Sequence, residues 1–409
     1  MPWVPALIAL CLCTTLAAAA DWPQWLGPGR NAVSPEKVAV WKEPPRVLWR
    51  QPVGEGHSSP VVAGGRVFLH VKVKDKDEEE VLCFASPTGK QLWRYTYPRA
   101  RFDSPFGVGP RATPAVVEGR VYALGVTGVL TCLEADSGKP VWQVDTARQF
   151  QPPPLKFGVS CSPLVEGDKV LVNVGAKGAS VVAFGKAKGE VVWKSLDDPA
   201  SYSSPIVFDQ AGRRQVVFLT GANVVSLDPA SGEVFWKFPL VDLLSESSTT
   251  PIRAGDLLLA SSVTYGSVGL RLQVKDSKPA FSQAWKNGAL TCYFSTPVPV
   301  GKEHVYLVTG GLLPPPRVTL RCVASATGEE LWNRPKVGRY HASLLRTGDD
   351  KLLMLDDNGN LVLLDPDPKE YRELARARVC GPTWAHPALA DGRLYVRDDK
   401  ELICLQLGE

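Results

Sequence analysis

Residues 130–142 read LTCLEADSGKPVW: an apolar run, an acidic turn, Ser137–Gly138, then Trp142 four residues beyond the glycine. The same frame returns as LCFASPTGKQLW (82–93), AFGKAKGEVVW (183–193), LDPASGEVFW (227–236) and CVASATGEELW (322–332). A single cofactor site does not require five boxes, so the stretch is a structural unit that the chain reuses. A second element precedes each copy: Ser or Thr, Pro, apolar residues, a Gly/Asp turn and a strand. It starts at Pro60, Pro114, Pro163, Pro205, Pro251, Pro297 and Pro387, with Leu344 replacing the proline once. The successive intervals are 54, 49, 42, 46, 46, 47 and 43 residues.

Each unit reads as four short strands rich in Val, Leu, Phe and Tyr and separated by Gly, Asp and Pro. Helical periodicity is scarce. Its best candidate, PKEYRELARARV (368–379), sits where a fourth strand belongs. Four-stranded units of 40–50 residues are propeller blades, so the expected fold is all-β, an eight-bladed β-propeller of antiparallel blades. The last unit, Pro387 to Leu407, supplies only three strands, while PPRVLWRQPVG (44–54) has no unit before it. The N-terminal strand carrying Trp49 is therefore expected to complete the eighth blade. Trp93, Trp142, Trp193, Trp236, Trp285 and Trp332 take the same place in blades one to six, and Leu374 takes it in the seventh.

These repeats resemble the tryptophan-docking motif of the pyrroloquinoline-quinone-like, eight-bladed propellers. The resemblance covers roughly residues 44–407, and DWPQWLGPGRNAVSPE (21–36) looks like the N-terminal extension of secreted bacterial members. It implies that each Trp lies between blades against a neighbour's peptide planes. The superfamily includes quinoprotein alcohol dehydrogenases and the propeller lipoprotein of the outer-membrane β-barrel assembly machinery, so fold alone does not assign function.

The N-terminal stretch bears on location. Residues 1–20 carry no charge, and Ala18–Ala20 before Asp21 reads as a small-residue cleavage site, so 1–20 is expected to be a signal peptide. About 15 apolar residues fall short of a membrane span. Leu10 and Leu12 stand where a lipidated Cys11 or Cys13 needs a small neighbour. The expected organisation is signal peptide 1–20, extension 21–43 and propeller 44–409, periplasmic or secreted and monomeric. A formal charge of +4 with no Lys/Arg run offers nothing to nucleic acid or an anionic membrane. The scattered cysteines form neither CxxC nor CxxCH, and Cys83, Cys132, Cys322 and Cys404 share one third-strand position that asks for a small buried residue.

The residue before each Pro is Ser or Thr in seven units of eight, a place where a hydroxyl satisfies backbone groups. Three positions before Pro the residues are larger and varied, and with the strand after Pro innermost they face the channel mouth. The candidate binding residues are His57, Arg111, Tyr202, Phe294, His341 and Trp384, joined by His386. His57, His341 and His386 fall in contiguous blades and are the only grouping suited to a transition metal. The resemblance implies, for a dehydrogenase, calcium held by carboxylate and amide oxygens, an Asp base and often a vicinal disulfide. In the aligned repeat starts no Asp, Glu or Asn lies within three residues before the Pro, and no Cys-Cys exists. The expected role is thus a binding scaffold without catalytic residues, bound metal or cofactor. The alternative is an oxidoreductase using a quinone with calcium, or a transition metal, at the channel mouth. Two long connections, 94–113 and 143–162, are the expected contact with an envelope or secreted protein partner, on the same face as 72–80 and 310–317.

Overall fold

The computed structural model describes residues 21–210, 212–311 and 317–407. The proposed signal sequence, with Cys11 and Cys13, and most of loop 310–317 lie outside them. The described chain forms eight four-stranded antiparallel sheets, each built from consecutive strands except the last. Blade one is typical, with Val61–Ala63 innermost, then Arg66–Lys72, Glu78–Ala85 and, outermost, Gln91–Pro98. In blade eight Val47–Pro52 is the outer strand and pairs with Glu401–Gln406, so both ends of the chain meet in one sheet. Residues 371–378 form the fourth strand of blade seven. Among the described residues the one helix is Thr146–Phe150, capped by the Asp145 carboxylate accepting from the Arg148 N–H; no repeat spacing foretells it.

Middle strands are buried on both faces, as in Ala179–Gly185, because each sheet is sandwiched between two neighbours. Outer strands alternate buried and exposed. The indoles form the joint between blades. Trp49, Trp93, Trp142, Trp193 and Trp285 each lie flat on a glycine of the next blade: Gly89, Gly138, Gly189, Gly232 and Gly328. A Cβ added at Gly138 would sit 2.5 Å from the Trp93 ring, and the residue's φ of +69° disfavours any side chain. Three residues before each of these glycines, a carbonyl accepts the indole N–H, as Ser86 does from Trp49 at 2.8 Å and Ala135 from Trp93 at 2.9 Å.

The small third-strand residues acquire a reason in the same joint. Cys83, Cys132, Ala183, Ser226, Gly269, Cys322 and Cys404 are the cross-strand partners of Trp93, Trp142, Trp193, Trp236, Trp285, Trp332 and Trp49. Each strand pair then slips by one residue. In blade seven the same slip leaves Leu374 unpaired and sets Ala375 opposite Leu363. The position equivalent to Trp is therefore Ala375, not Leu374, and large and small have exchanged sides of the ladder. All seven described cysteines are buried and free.

A second belt runs around the channel. The N–H of Ser59 donates to Thr113 Oγ1, Thr113 to Ser162 Oγ, Ser162 to Ser204 Oγ, Thr250 to Thr296 Oγ1 and His386 to Ser59 Oγ, at 2.9–3.2 Å. The hydroxyl before Pro thus satisfies the neighbouring blade rather than its own. Residues 21–36 cross the face opposite the long loops, touching Val62, Val116, Arg346 and Gly392. From this segment Arg30 enters the channel, fully buried, and donates to the carbonyls of Ser162, Pro163 and Pro205 at 2.7–3.1 Å. Burial pushes its pKa down to about 10, and it remains a cation.

Blade five lacks the glycine, so the Trp236 N–H finds no acceptor and its ring packs on Phe281 with centroids 4.9 Å apart. The two indoles therefore predict different costs. In urea unfolding, Trp93→Phe is expected to lose about 1 kcal/mol more than Trp236→Phe, the net value of one hydrogen bond. Equal losses would remove the N–H from the docking interaction.

Candidate functional site

Antiparallel alternation puts every connection from an outer strand to the next inner strand on one face, the channel mouth. The loop 73–77 belongs to that face too: Lys72 N–H donates to Glu55 O, and Arg99 N–H donates to Asp77 O. At the centre lies a cavity of about 120 Å³. His57, Arg111, Tyr202, Phe294, His341, Trp384 and His386, all chosen from sequence, line it. The Pro-anchored inner strands converge on the axis, which brings seven residues from six blades together.

Trp384 is the centre of the aromatic collar. Phe294 stacks on it at 5.1 Å, His57 at 5.4 Å and Phe106 at 5.7 Å, while Tyr340 tilts against it at 5.7 Å. On the other side Phe157 packs against both Phe106 and Tyr202. Arg111 ties the two long loops to each other. Its guanidinium donates to Phe157 O in one loop, and to Gly107 O at 3.0 Å and Phe106 O at 3.3 Å in the other. Its charge is spent on backbone, and burial holds its pKa down at about 10. Glu246, the carboxylate of this wall, accepts from the Tyr293 hydroxyl and lies 3.6 Å from Lys156.

The histidines do not converge as a metal triad. His57 Nε2 is engaged by Phe106 O at 2.8 Å, whereas His341 and His386 face each other with ring centres 5.4 Å apart. Among the described residues no group of three or more His, Cys, Asp or Glu is placed to hold a metal ion. Cys380 is buried, with its thiol pushed up to about 12, which leaves no thiolate to act as a nucleophile. The donor set does not fit a calcium-bound quinone either. One carboxylate, already hydrogen-bonded, falls short of the several oxygens a hard cation needs, and the cysteines form no disulfide.

Phe106, Phe157 and Trp25 escaped the sequence reading, in which Glu246 is only one of the acidic residues nearest the repeat starts. Phe106, Phe157 and Glu246 lie in loops that carry no repeat spacing. Trp25 comes from the N-terminal segment and closes the cavity floor, its N–H donating to Thr250 Oγ1 at 2.8 Å and its ring against His386. At the root of the first long loop lies a further buried cluster. Tyr97 OH donates to Glu79 at 2.6 Å, His70 Nε2 meets Tyr97 OH at 2.8 Å, and Arg99 stands 4.0 Å from Glu79.

His70, His341 and His386 are buried and kept neutral by desolvation, the first two with pKa pushed down to about 3 and the third also well below its usual value. The unfolded chain takes up these protons below about pH 6.5, while the folded chain refuses them, so stability is lost as pH falls from 6.5 toward 3. Glu79 is shifted upward by burial, binds its proton more readily when folded, and offsets part of this loss. Each histidine contributes about 1.4 kcal/mol per pH unit in that window. Urea titrations at pH 7, 6, 5 and 4.5 are expected to show falling stability, with a reduced slope in His341→Asn; a flat profile would contradict the buried neutral state.

Comparison with known proteins separates fold from family. Among solved structures, BamB from Moraxella catarrhalis matches with a TM-score of 0.63 at 14% identity, over 88% of this chain and 99% of that one. A quinohemoprotein alcohol dehydrogenase from Comamonas testosteroni matches with a TM-score of 0.67 at 14% identity, over 95% and 81%. At such identities the likeness establishes the propeller and nothing finer. Outer membrane protein assembly factor BamB of Xanthomonas campestris pv. campestris is 33% identical over 90 residues, 22% of this chain and 21% of that protein. The chain thus aligns with about a fifth of the length of this curated relative. The sequence model of the family described as outer membrane protein assembly factor BamB matches residues 77–312 and 316–406. That is well over half of the sequence, and the chain belongs to the BamB family.

Proposed function

We propose that this protein is an exported, envelope-located scaffold that holds a protein partner for outer-membrane assembly on its mouth face. The family supports the process, and the rigid ring with its loops supports the mode. The observation that carries the reading is the surface of that face. The connection 240–250 presents Leu243, 84% exposed, and Val241, 53% exposed, with Leu244 beside them. Leu243 and Leu244 point to solvent while Asp242 fixes the loop beneath them, accepting from the N–H groups of Leu244, Glu246 and Thr264 at 3.0–3.2 Å. Exposed apolar side chains on a braced loop mark an interaction site rather than a slack connection.

The loops 94–113 and 143–162 flank the cavity and are joined by Arg111, so they form one recognition surface instead of two independent flaps. Their composition, Arg and aromatic residues around a polar rim, suits a protein interface. Residues 1–20 are read as the export signal, residues 21–43 as the extension and 44–409 as the propeller. Among the described residues no helix is long and apolar enough to cross a membrane.

A photo-crosslinking residue at Leu243 tests the reading in the native envelope, with one at Lys188, on the opposite face, as control. Crosslinks from Leu243 to a component of the outer-membrane assembly machinery, and none from Lys188, are the expected outcome. Leu243→Asp is expected to abolish capture by at least tenfold with the unfolding midpoint unchanged, since the side chain is exposed. Equal crosslinking from both faces would overturn the assignment of the mouth as the docking surface.

A further inference from the structure

We infer that the mouth cavity is a binding site for one phenolic ring, packed against its aromatic wall with its hydroxyl directed at His341 and His386. The inference concerns a ligand of the isolated chain and does not rest on which partner occupies the loops.

Size sets the first limit. An apolar cavity of about 150 Å³ accommodates a benzene ring, and this one, of about 120 Å³, opens at the mouth. Its scale is that of a single ring. The walls set the second. Trp384, stacked with Phe294 and His57, forms with Phe106 and Phe157 a continuous aromatic wall, and Tyr202 is tilted beside it. A flat ring packed against that wall gains edge and offset contacts.

The floor sets the third limit, and it is the decisive one. His341 and His386 are 2% and 4% exposed, and Nε2 of each has no protein partner although both rings line the cavity. His341 Nδ1 is bound to Ser295 Oγ at 3.1 Å, which leaves Nε2 as its free atom. The serines around the wall are already engaged: Ser162 and Ser204 in the inner belt, Ser160 on Gly158 O, Ser248 on Tyr293 O. Two neighbouring buried imidazole nitrogens are therefore left without a protein partner at the base of the cavity.

Charge decides what that partner is. The N–H groups of Arg111 are committed to carbonyls, and Glu246 is engaged by Tyr293 and Lys156, so neither offers a charged ligand a free hydrogen-bonding contact. The imidazoles are neutral because they are desolvated. A neutral imidazole Nε2 either donates or accepts according to tautomer, and a phenol hydroxyl does both at once. A ring with one hydroxyl thus matches the walls and the floor, whereas a plain hydrocarbon ring leaves both nitrogens orphaned.

The experiment is calorimetric titration of the purified chain with p-cresol and with toluene, and then with N-acetyl-tyrosinamide. p-Cresol is expected to bind about tenfold more tightly than toluene, the usual worth of one or two net hydrogen bonds. His341→Phe is expected to erase that preference. Because a core variant can fail to fold, Ser295→Ala serves as the second: it frees the His341 tautomer, lowers p-cresol affinity severalfold and leaves toluene unchanged. Binding of the capped tyrosine as well identifies the ring as a side chain presented by a protein; binding of p-cresol alone identifies it as a free small phenol. Equal affinities for p-cresol and toluene, or no binding of either, overturn the inference.

Discussion

Everything in this molecule hangs on an indole laid against a glycine of the next blade. The contact needs three things at once: a Trp on the outer strand, a turn whose glycine leaves room for a flat ring, and a small residue opposite the Trp inside its own blade. Trp142 shows all three, with Gly189 beneath it, Lys186 O accepting its N–H at 3.0 Å and Cys132 across the strand. In the five complete joints the partner glycine belongs to the following blade, so the joint is directional, and the one made by Trp49 on Gly89 ties blade eight to blade one. Burying a Trp in this way is worth about 3–5 kcal/mol against truncation, so the joints account for much of the cohesion between sheets that share no backbone ladder.

Most of this architecture is legible in the sequence because the joint has a fixed local spacing. Gly138 and Trp142 are four residues apart even though Gly138 serves Trp93 and Trp142 serves blade three. The departures are as physical as the rule. Blade five has no glycine at its docking turn, and the consequence falls on Trp236 of blade four, which a reading of blade five alone would not reveal. Blade seven conceals its register: a strand that exchanges Trp for Ala375 and a small partner for Leu363 keeps the one-residue slip and hides the motif. Leu374 is the conspicuous residue there, and the unpaired one.

The candidate site is legible to a different degree. His57, Arg111, Tyr202, Phe294, His341, Trp384 and His386 could be placed together because they sit at fixed offsets from a repeated proline, and the inner strands converge. Offset does not give direction, so the turn of His57 toward Phe106 and the facing pair His341–His386 required coordinates. Phe106 and Phe157 reach the same cavity from loops of unequal length. Trp25 reaches it, and Arg30 reaches the channel, from a segment with no repeat at all. Their placement depends on the assembled ring, and no window of sequence contains both sides of those contacts.

The shared eighth blade has a consequence for how the molecule comes into being. Arg50 meets Glu401, 351 residues further along, at 2.9 Å, and Arg30 grips carbonyls more than 130 residues away. Pairings of this range carry the full entropy of loop closure and form slowly. During synthesis the first strand of the ring emerges first and its partner last, so Val47–Pro52 stays an open edge throughout, and an open edge invites pairing with other chains. Seven blades can stack as they appear, but the ring is not closed until Gln406 has arrived. Closure is therefore the last event in building the protein, and a chain truncated by its final strand would leave Val47–Pro52 without a partner.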